Sequence, residues 1–353
     1  MRVGIPREVK TREGRVGLIP AAAAELVAHG HEVLVEKDAG RLSGYSDDDF
    51  RAVGVSIMDD ADALYETAEV IVKVKEPQPE ELTRLRADHI LFSYLHLAAA
   101  PELLRALQDI GLTAVAFETV TGRAHLPLLA PMSDIAGRLA VQIGSNLLHH
   151  YQGGRGVLLG GLPAAERGRV VILGAGNAGS SSALVAAALG TQVTIFDRNR
   201  EKLKAMRALG DNVTGLYPFA DAIHQEVREA DLLVGAVLIT GARAPHLVDA
   251  DMVRSMRPGS VIVDISVDQG GCVETTRPTS YEEPTFVWED VLHFGVTNMP
   301  GAVPRSASQA LSAAVVPYLL RLLAPNWERD QDLAAGVNVR GGKIVYPALR
   351  ESA

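Results

Sequence analysis

Arg169-Val170-Val171-Ile172-Leu173-Gly174-Ala175-Gly176-Asn177-Ala178-Gly179 is the stretch whose reading fixes the architecture. The apolar run Arg169–Leu173 reads as a buried strand, and the residues beyond the glycines, Ser180–Leu189, read as a helix. Gly174 permits the tight turn, Gly176 lets backbone approach a pyrophosphate, and Gly179 allows close helix–strand contact. Asn177 and Ala178 complete the turn, where the helix N-terminus offers N–H groups and a partial positive charge. A glycine pattern of this kind also arises at plain strand–helix turns. Here a further strand, Gln192–Asp197, ends in an acid eighteen residues after Gly179, where a carboxylate takes the adenosine ribose hydroxyls. Asp197 would accept from a 2′-OH and repel a 2′-phosphate, so NAD is expected in preference to NADP. Arg198 and Arg200 either soften that preference or are solvated charges at a helix start.

Outward from this turn the chain alternates strands and helices. After Arg169–Leu173, strands are expected near Gln192–Asp197, Asn212–Leu216, Asp231–Leu238, Ser260–Ile265 and His293–Thr297. The first third repeats the pattern, with strands at Arg2–Ile5, His31–Glu36, Val70–Lys75, His89–Leu95 and Thr113–Val120. Helices fall between them at Ala21–His29, Ala61–Ala68 and Pro101–Ile110. Long helices are expected at Ser133–His150 and Ser306–Leu323, and a last strand at Lys343–Tyr346. The expectation is an α/β protein of two Rossmann-like, doubly wound domains. Residues 131–300 form the NAD-binding domain, inserted into a discontinuous substrate domain made of 1–130 and 301–353.

Composition is consistent with that architecture. Hydrophobic residues make up 47% of the 353 and aromatic residues 5%, a small-residue mix that suits helices packed closely on parallel sheets. The formal charge of −9 gives no general attraction to nucleic acid or an anionic membrane. One cysteine, Cys272, allows neither an internal disulfide nor a multi-cysteine metal site; no metal is expected, and a reducing cytoplasm fits. Met1-Arg2-Val3-Gly4-Ile5 starts directly as a strand, so no signal peptide is expected, and no apolar run reaches bilayer-spanning length.

A nicotinamide-linked reaction on an amino acid needs cations for the carboxylate, a proton-transfer group, and an anion to manage cationic intermediates. The first domain offers Arg15, Lys73, Lys75 and His96; the second offers Asp264 and Asp268. Alternation along Val70–Lys75 would put both lysines on one face, either at an active-site strand end or as exposed edge charges. His96 closes an apolar strand, where imidazole suits proton transfer but is also a common structural residue.

Several segments taken in order resemble the bacterial alanine dehydrogenases and their transhydrogenase α-subunit relatives. They are Gly4-Ile5-Pro6-Arg7-Glu8, Arg15-Val16, Lys73-Val74-Lys75-Glu76-Pro77, Leu95-His96-Leu97-Ala98 and Pro127-Leu128-Leu129-Ala130-Pro131-Met132-Ser133. Ala136-Gly137-Arg138, Gly235-Ala236-Val237-Leu238, Val263-Asp264-Ile265-Ser266-Val267-Asp268-Gln269-Gly270-Gly271-Cys272 and Asn298-Met299-Pro300-Gly301-Ala302-Val303-Pro304 continue the match. The resemblance implies reversible oxidative deamination of L-alanine to pyruvate and ammonium with NAD. It implies substrate binding by Arg15 and Lys75 and catalysis by His96 and Asp268. It also implies a cofactor lined by Ser133, Lys202, Val237, Leu238, Ile265, Val267, Asp268, Arg277, Asn298 and Met299, besides the glycine turn, Asp197 and Arg198. A homo-oligomer, hexamer or dimer, is implied as well. Gly17 and Ile19 stand where the family usually has Ala and Thr, Leu42 where it has Gly, and Pro218 where it has Ser. The first pair bears on the substrate side chain and the last on one cofactor contact. The alternatives are a dehydrogenase or reductase for another small amino acid or imine, a soluble transhydrogenase subunit, and a non-catalytic NAD(H)-binding protein. Turnover with amino acids separates them.

Overall fold

The central strands are mostly apolar, as strands covered on both faces tend to be. Val70–Val72, Leu232–Gly235 and Val261–Asp264 are buried at every residue. The computed structural model describes residues 1–122, 126–237 and 245–350, without the side chains of Asp268 and Gln269. It divides into two units, Met1–Met132 with Gly301–Ala353, and Ser133–Pro300.

The first unit carries an eight-stranded sheet. Its order is Lys343–Ile344, Val337–Arg340, Thr113–Ala116, Ile90–Ser93, Val70–Val72, Arg2–Ile5, Glu32–Glu36 and Ser56–Met58. The first six strands of the chain pair in parallel, whereas Val337–Arg340 runs antiparallel to both its neighbours. The second unit's seven-stranded sheet is ordered Thr285–Trp288, Val291–Phe294, Val261–Asp264, Leu232–Gly235, Arg169–Leu173, Gln192–Phe196 and Val213–Leu216. All its pairs are parallel except Thr285–Trp288 with Val291–Phe294. In each sheet the unit's first strand is central, with the second and third to one side and the fourth and fifth to the other. This is the doubly wound order, so both units are Rossmann-like, and a crevice is expected where the winding reverses, at the carboxyl end of the first strand.

Pro101–Ile110 and Arg169–Leu173 coincide with the expected elements, and most others differ by a residue or two. The long helices run Ala130–Leu147 and Pro304–Leu322, the second opening on a proline whose missing N–H costs nothing there. Ser56–Met58, Thr285–Trp288 and Val337–Arg340 were not expected; each is short and at or near a sheet edge. The expected strand Val70–Lys75 is corrected to Val70–Val72. Beyond it the Lys73 N–H still donates to the Phe92 carbonyl and the Val74 carbonyl accepts from the Tyr94 amide, but Glu8 captures the amides of Val74 and Lys75 and the chain bends. Alternation therefore does not relate Lys73 to Lys75. Leu238, expected at the end of a strand, lies outside the described residues. Among the described residues no helix is long and apolar enough to cross a membrane.

Close helix packing in the second unit depends on Gly137. A β-carbon there would sit 2.0 Å from the Ala178 carbonyl oxygen, and Ser182 Oγ donates to the Gly137 carbonyl at 2.8 Å. Gly137→Ala must push the helix Asn177–Ala188 away. It should lower stability by about 1–3 kcal/mol, read as an earlier urea transition; an unchanged midpoint would contradict the packing.

Candidate functional site

Arg15 is held in a buried ion pair. Glu13 accepts from Arg15 Nε at 2.7 Å and Nη2 at 2.6 Å, and also from the Arg15 amide at 3.0 Å. Nη1 lies 3.2 Å from the Met132 sulfur. Burial disfavours the guanidinium charge, but the Glu13 carboxylate outweighs it and the arginine stays above its usual pKa. Two parallel N–H···O bonds fix the plane of the fork as well as its charge. Lys75 is half-buried, and its pKa falls below the ordinary lysine value, first through burial and next through the Arg15 charge.

His96 lies just past the strand Ile90–Ser93. Its backbone is left-handed, with φ 49°, and opens the short turn Leu97–Ala99. A residue with a β-carbon is held there at a cost on the order of 1–3 kcal/mol. Glu118 supplies the restraint, accepting from the His96 amide at 2.6 Å and the Leu95 amide at 3.3 Å. The imidazole is exposed and stacks on Tyr94, centroids 6.0 Å apart and planes 4° from parallel. Tyr94 is buried, its hydroxyl donates to the Leu128 carbonyl, and burial holds its pKa well above the phenol range. The Arg15 charge contributes to the shifts of both Lys75 and Tyr94, and the Tyr94 ring carries the His96 imidazole.

Lys73 belongs to a different arrangement. Its ammonium is fully buried between Glu8 Oε2 at 3.2 Å and Glu81 Oε1 at 2.6 Å, and Tyr65 OH donates to Glu81 at 3.0 Å. The pair of carboxylates overcomes the burial cost and keeps Lys73 charged. Glu8 also accepts from the amides of Val74 at 2.6 Å and Lys75 at 3.3 Å, so this buried cluster sets the backbone that carries Lys75.

In the second unit, Gly174 takes φ 96° and the helix Asn177–Ala188 starts directly after Gly176. A β-carbon on Gly179 would lie 1.8 Å from the Gly174 carbonyl oxygen, while one on Gly176 would meet nothing within 4 Å. The turn is tight where it meets the helix and open where a phosphate would approach, which is the fit a dinucleotide requires. Asp197 is tied to this turn: its carboxylate accepts from the Ala175 amide at 2.8 Å and the Asn199 amide at 2.7 Å. Arg198 and Lys202 are exposed beside it, Lys202 in the helix Arg200–Arg207.

The loop after Val261–Asp264 is organised by Asp264. Its buried carboxylate accepts from the amides of Ser266 at 2.9 Å, Cys272 at 3.0 Å and Val273 at 3.3 Å, and burial raises its pKa. Asp264 therefore holds backbone. Asp268 lies on the turn Ile265–Gln269 that Asp264 caps; its side chain is outside the described residues. Ile265 is half-buried and Val267 buried on the same turn, and Ser266 Oγ donates to the Val237 carbonyl at 2.8 Å. Ser133 is half-buried on the helix Ala130–Leu147, and Asn298 is half-buried just before the turn Met299–Ala302, where Met299 is buried. Arg277 is exposed and lies over the Phe286 ring at 4.6 Å.

Sequence reasoning missed Glu13, Glu118 and Tyr94 as supports. Glu13, two residues before Arg15, and Tyr94, two before His96, were the readable signals; Glu118 acts across 22 residues. Of the unusual residues, Gly17 has a direct cause, because a β-carbon there would be 2.8 Å from the Val72 carbonyl oxygen. Leu42 is 69% exposed beside a cleft of about 520 Å³ that Glu8, Glu13 and Arg15 also line. Lys75 and His96 are not among the cleft's walls, so the grouping around Tyr94 is the better candidate for chemistry. Among the described residues no three His, Cys, Asp or Glu side chains are placed to hold a metal.

A doubly wound sheet with this glycine turn in the second unit, and cations with an imidazole in the first, define an oxidoreductase with a Rossmann-like dinucleotide-binding domain. The family models for the N-terminal and C-terminal domains of alanine dehydrogenase/PNT match residues 4–136 and 140–347. The chain belongs to the alanine dehydrogenase/pyridine nucleotide transhydrogenase family. It is 46% identical to an alanine dehydrogenase of Halomonas elongata, over 100% of this chain and 96% of that protein. A solved L-alanine dehydrogenase superposes with a TM-score of 0.96 at 49% identity, covering 100% of this chain and 99% of the other. A transhydrogenase from Sinorhizobium meliloti gives 0.86 at 26% identity, covering 99% and 100%.

Lys73→Met leaves Glu8 and Glu81 buried without their shared cation. Breaking a buried pair in this way costs about 3–5 kcal/mol. The variant should unfold at clearly lower denaturant than the wild type; equal stability would show that the cluster is not the support described here.

Proposed function

We propose that this protein catalyses the reversible oxidative deamination of L-alanine: alanine, NAD and water give pyruvate, ammonium, NADH and a proton. The observation that carries the reading is in the first unit, where Glu13 fixes the Arg15 guanidinium and Glu118 and the Tyr94 ring hold an exposed His96 imidazole. The names of the close relatives agree with it. Bound NAD supplies the acceptor for the substrate's hydride.

Arg15 binds the substrate carboxylate. Glu13 occupies its Nε–Nη2 edge and fixes its plane, so the guanidinium need not reorganise on binding. Lys75 holds the substrate oxygen and polarises the carbonyl in the reductive direction. His96 takes and returns a proton as water adds to the iminium carbon and ammonia leaves. Its exposed ring gives water access, and Glu118 together with the Tyr94 stack fixes its position. Asp268 stabilises the positive charge of the iminium. Asp197, with lone pairs beyond those used by Ala175 and Asn199, accepts from the adenosine ribose, which favours NAD over NADP.

Two measurements test these roles. His96→Ala should collapse turnover of L-alanine while NADH still binds with near wild-type affinity; normal turnover would remove His96 from the mechanism. Lys75 acts as the cation, and its charge is lost as pH rises through a value below the ordinary lysine pKa of about 10.4. The alkaline limb of the kcat/KM profile should therefore begin early, and Lys75→Arg, if active, should move it upward. A limb unmoved by that substitution would rule out Lys75 as its source.

A further inference from the structure

The helix Pro304–Leu322 buries Leu311, Val315, Leu319 and Leu322, and two serines one turn apart, Ser308 and Ser312, interrupt that apolar stripe. Neither is more than 1% exposed. A hydroxyl on a buried helix face costs stability unless it is bonded, and a serine there commonly turns back to the carbonyl four residues earlier. Here both face another segment instead. Ser308 Oγ accepts from the Val16 amide at 3.0 Å, and Ser312 Oγ accepts from the Ile19 amide at 3.0 Å. The segment they hold, residues 13–19, has neither helix nor strand to satisfy its backbone.

A third hydroxyl closes the arrangement. Ser43 Oγ, also buried, lies 2.8 Å from Ser308 Oγ and donates to the Gly14 carbonyl at 2.7 Å, with a longer contact of 3.3 Å to the Pro304 carbonyl. Each hydroxyl has one proton, so a Ser43 proton given to Gly14 makes Ser308 the donor between the two. The chain of bonds then runs from Val16 N–H through Ser308 and Ser43 to Gly14 C=O. Its two ends are the peptide groups on either side of Arg15. The Arg15 amide itself donates to Glu13, so three side chains hold the backbone of this one arginine. Packing leaves it little room to move: a β-carbon on Gly14 would lie 3.1 Å from Leu42 Cβ and 3.3 Å from Pro304 Cβ.

We propose that Ser308 and Ser43 are positioning residues for the substrate carboxylate, acting through the backbone of Arg15. The proposal rests on the assignment of Arg15 to that carboxylate. Glu13 sets the plane of the guanidinium, and the two hydroxyls set where that plane stands. Without them Val16 N–H and Gly14 C=O are buried with no partner, and the segment must shift to find others. The carboxylate is the same in the ground state and the transition state, so a displaced Arg15 raises KM more than it lowers kcat.

Steady-state kinetics of the full-length protein in both directions, with NAD or NADH saturating, test it. Ser308→Ala should raise KM for L-alanine and for pyruvate about tenfold, with kcat and NADH affinity within about twofold of wild type. Ser308→Thr keeps the hydroxyl and should keep the KM. The double variant Ser308→Ala/Ser43→Ala should raise KM no further than Ser308→Ala alone, because both changes cut one chain of bonds. Ser312→Ala removes an equally buried bond one turn away, at Ile19, and should lower the unfolding midpoint with KM unchanged. A wild-type KM in Ser308→Ala, or equal rises in Ser308→Ala, Ser308→Thr and Ser312→Ala, would make the serines ordinary packing and overturn the proposal. Arg15→Lys checks the reading beneath it. If it raises KM while Ser308→Ala does not, the positioning role is wrong and Arg15 keeps its own; if it leaves KM unchanged, the carboxylate assignment itself fails.

Discussion

Where a parallel strand stops, its last amides lose their ladder partners and must find others. In this chain a carboxylate takes them at each place that carries the site. Glu8 holds Val74 and Lys75, Glu118 holds Leu95 and His96, Asp197 holds Ala175 and Asn199, and Asp264 holds Ser266, Cys272 and Val273. An ionised carboxylate accepts from several N–H groups with bonds about twice as strong as neutral ones. Each therefore fixes a loop that has no sheet to lean on. The doubly wound order places these loops at the carboxyl edges of the sheets, and the acids make them rigid there.

The same device accounts for the charge arrangement. An acid that holds backbone is stabilised further by a cation, and Lys73 meets Glu8 in this way, with Glu81 completing the pair. Glu13 does for a side chain what the other acids do for backbone, taking Arg15 by two guanidinium nitrogens. With Lys73 and the inner edge of Arg15 committed to partners, Lys75 is the group whose charge is weakened, by burial and by Arg15. A cation of lowered pKa beside a fixed guanidinium suits a substrate that brings its own negative charge, since the carboxylate relieves the repulsion between them.

Much of this was legible in the residues. Arg169–Leu173 with its glycines and Asp197 located the nucleotide fold, because close approach and φ 96° at Gly174 leave few other residue choices. Pro101–Ile110 carried its own start and stop in a proline and a glycine. Strands of three or four residues such as Ser56–Met58 and Val337–Arg340 were not legible, since a short edge strand has too few residues to show a period. The two lysines misled: Lys73-x-Lys75 looks like one face of a strand, but the strand ends first, under the influence of Glu8, 66 residues away from Val74. Glu118 was invisible as a support for the same reason, since a partner 22 residues away leaves no local pattern.

These fixed loops serve amino-acid oxidation and not nucleotide binding alone. NADH formation by the purified protein with NAD and a panel of L-amino acids, run also in reverse with 2-oxo acids and ammonium, tests this most directly. L-Alanine should give the highest kcat/KM forward, and pyruvate with ammonium the highest in reverse. NADH binding without turnover of any member of the panel would contradict it.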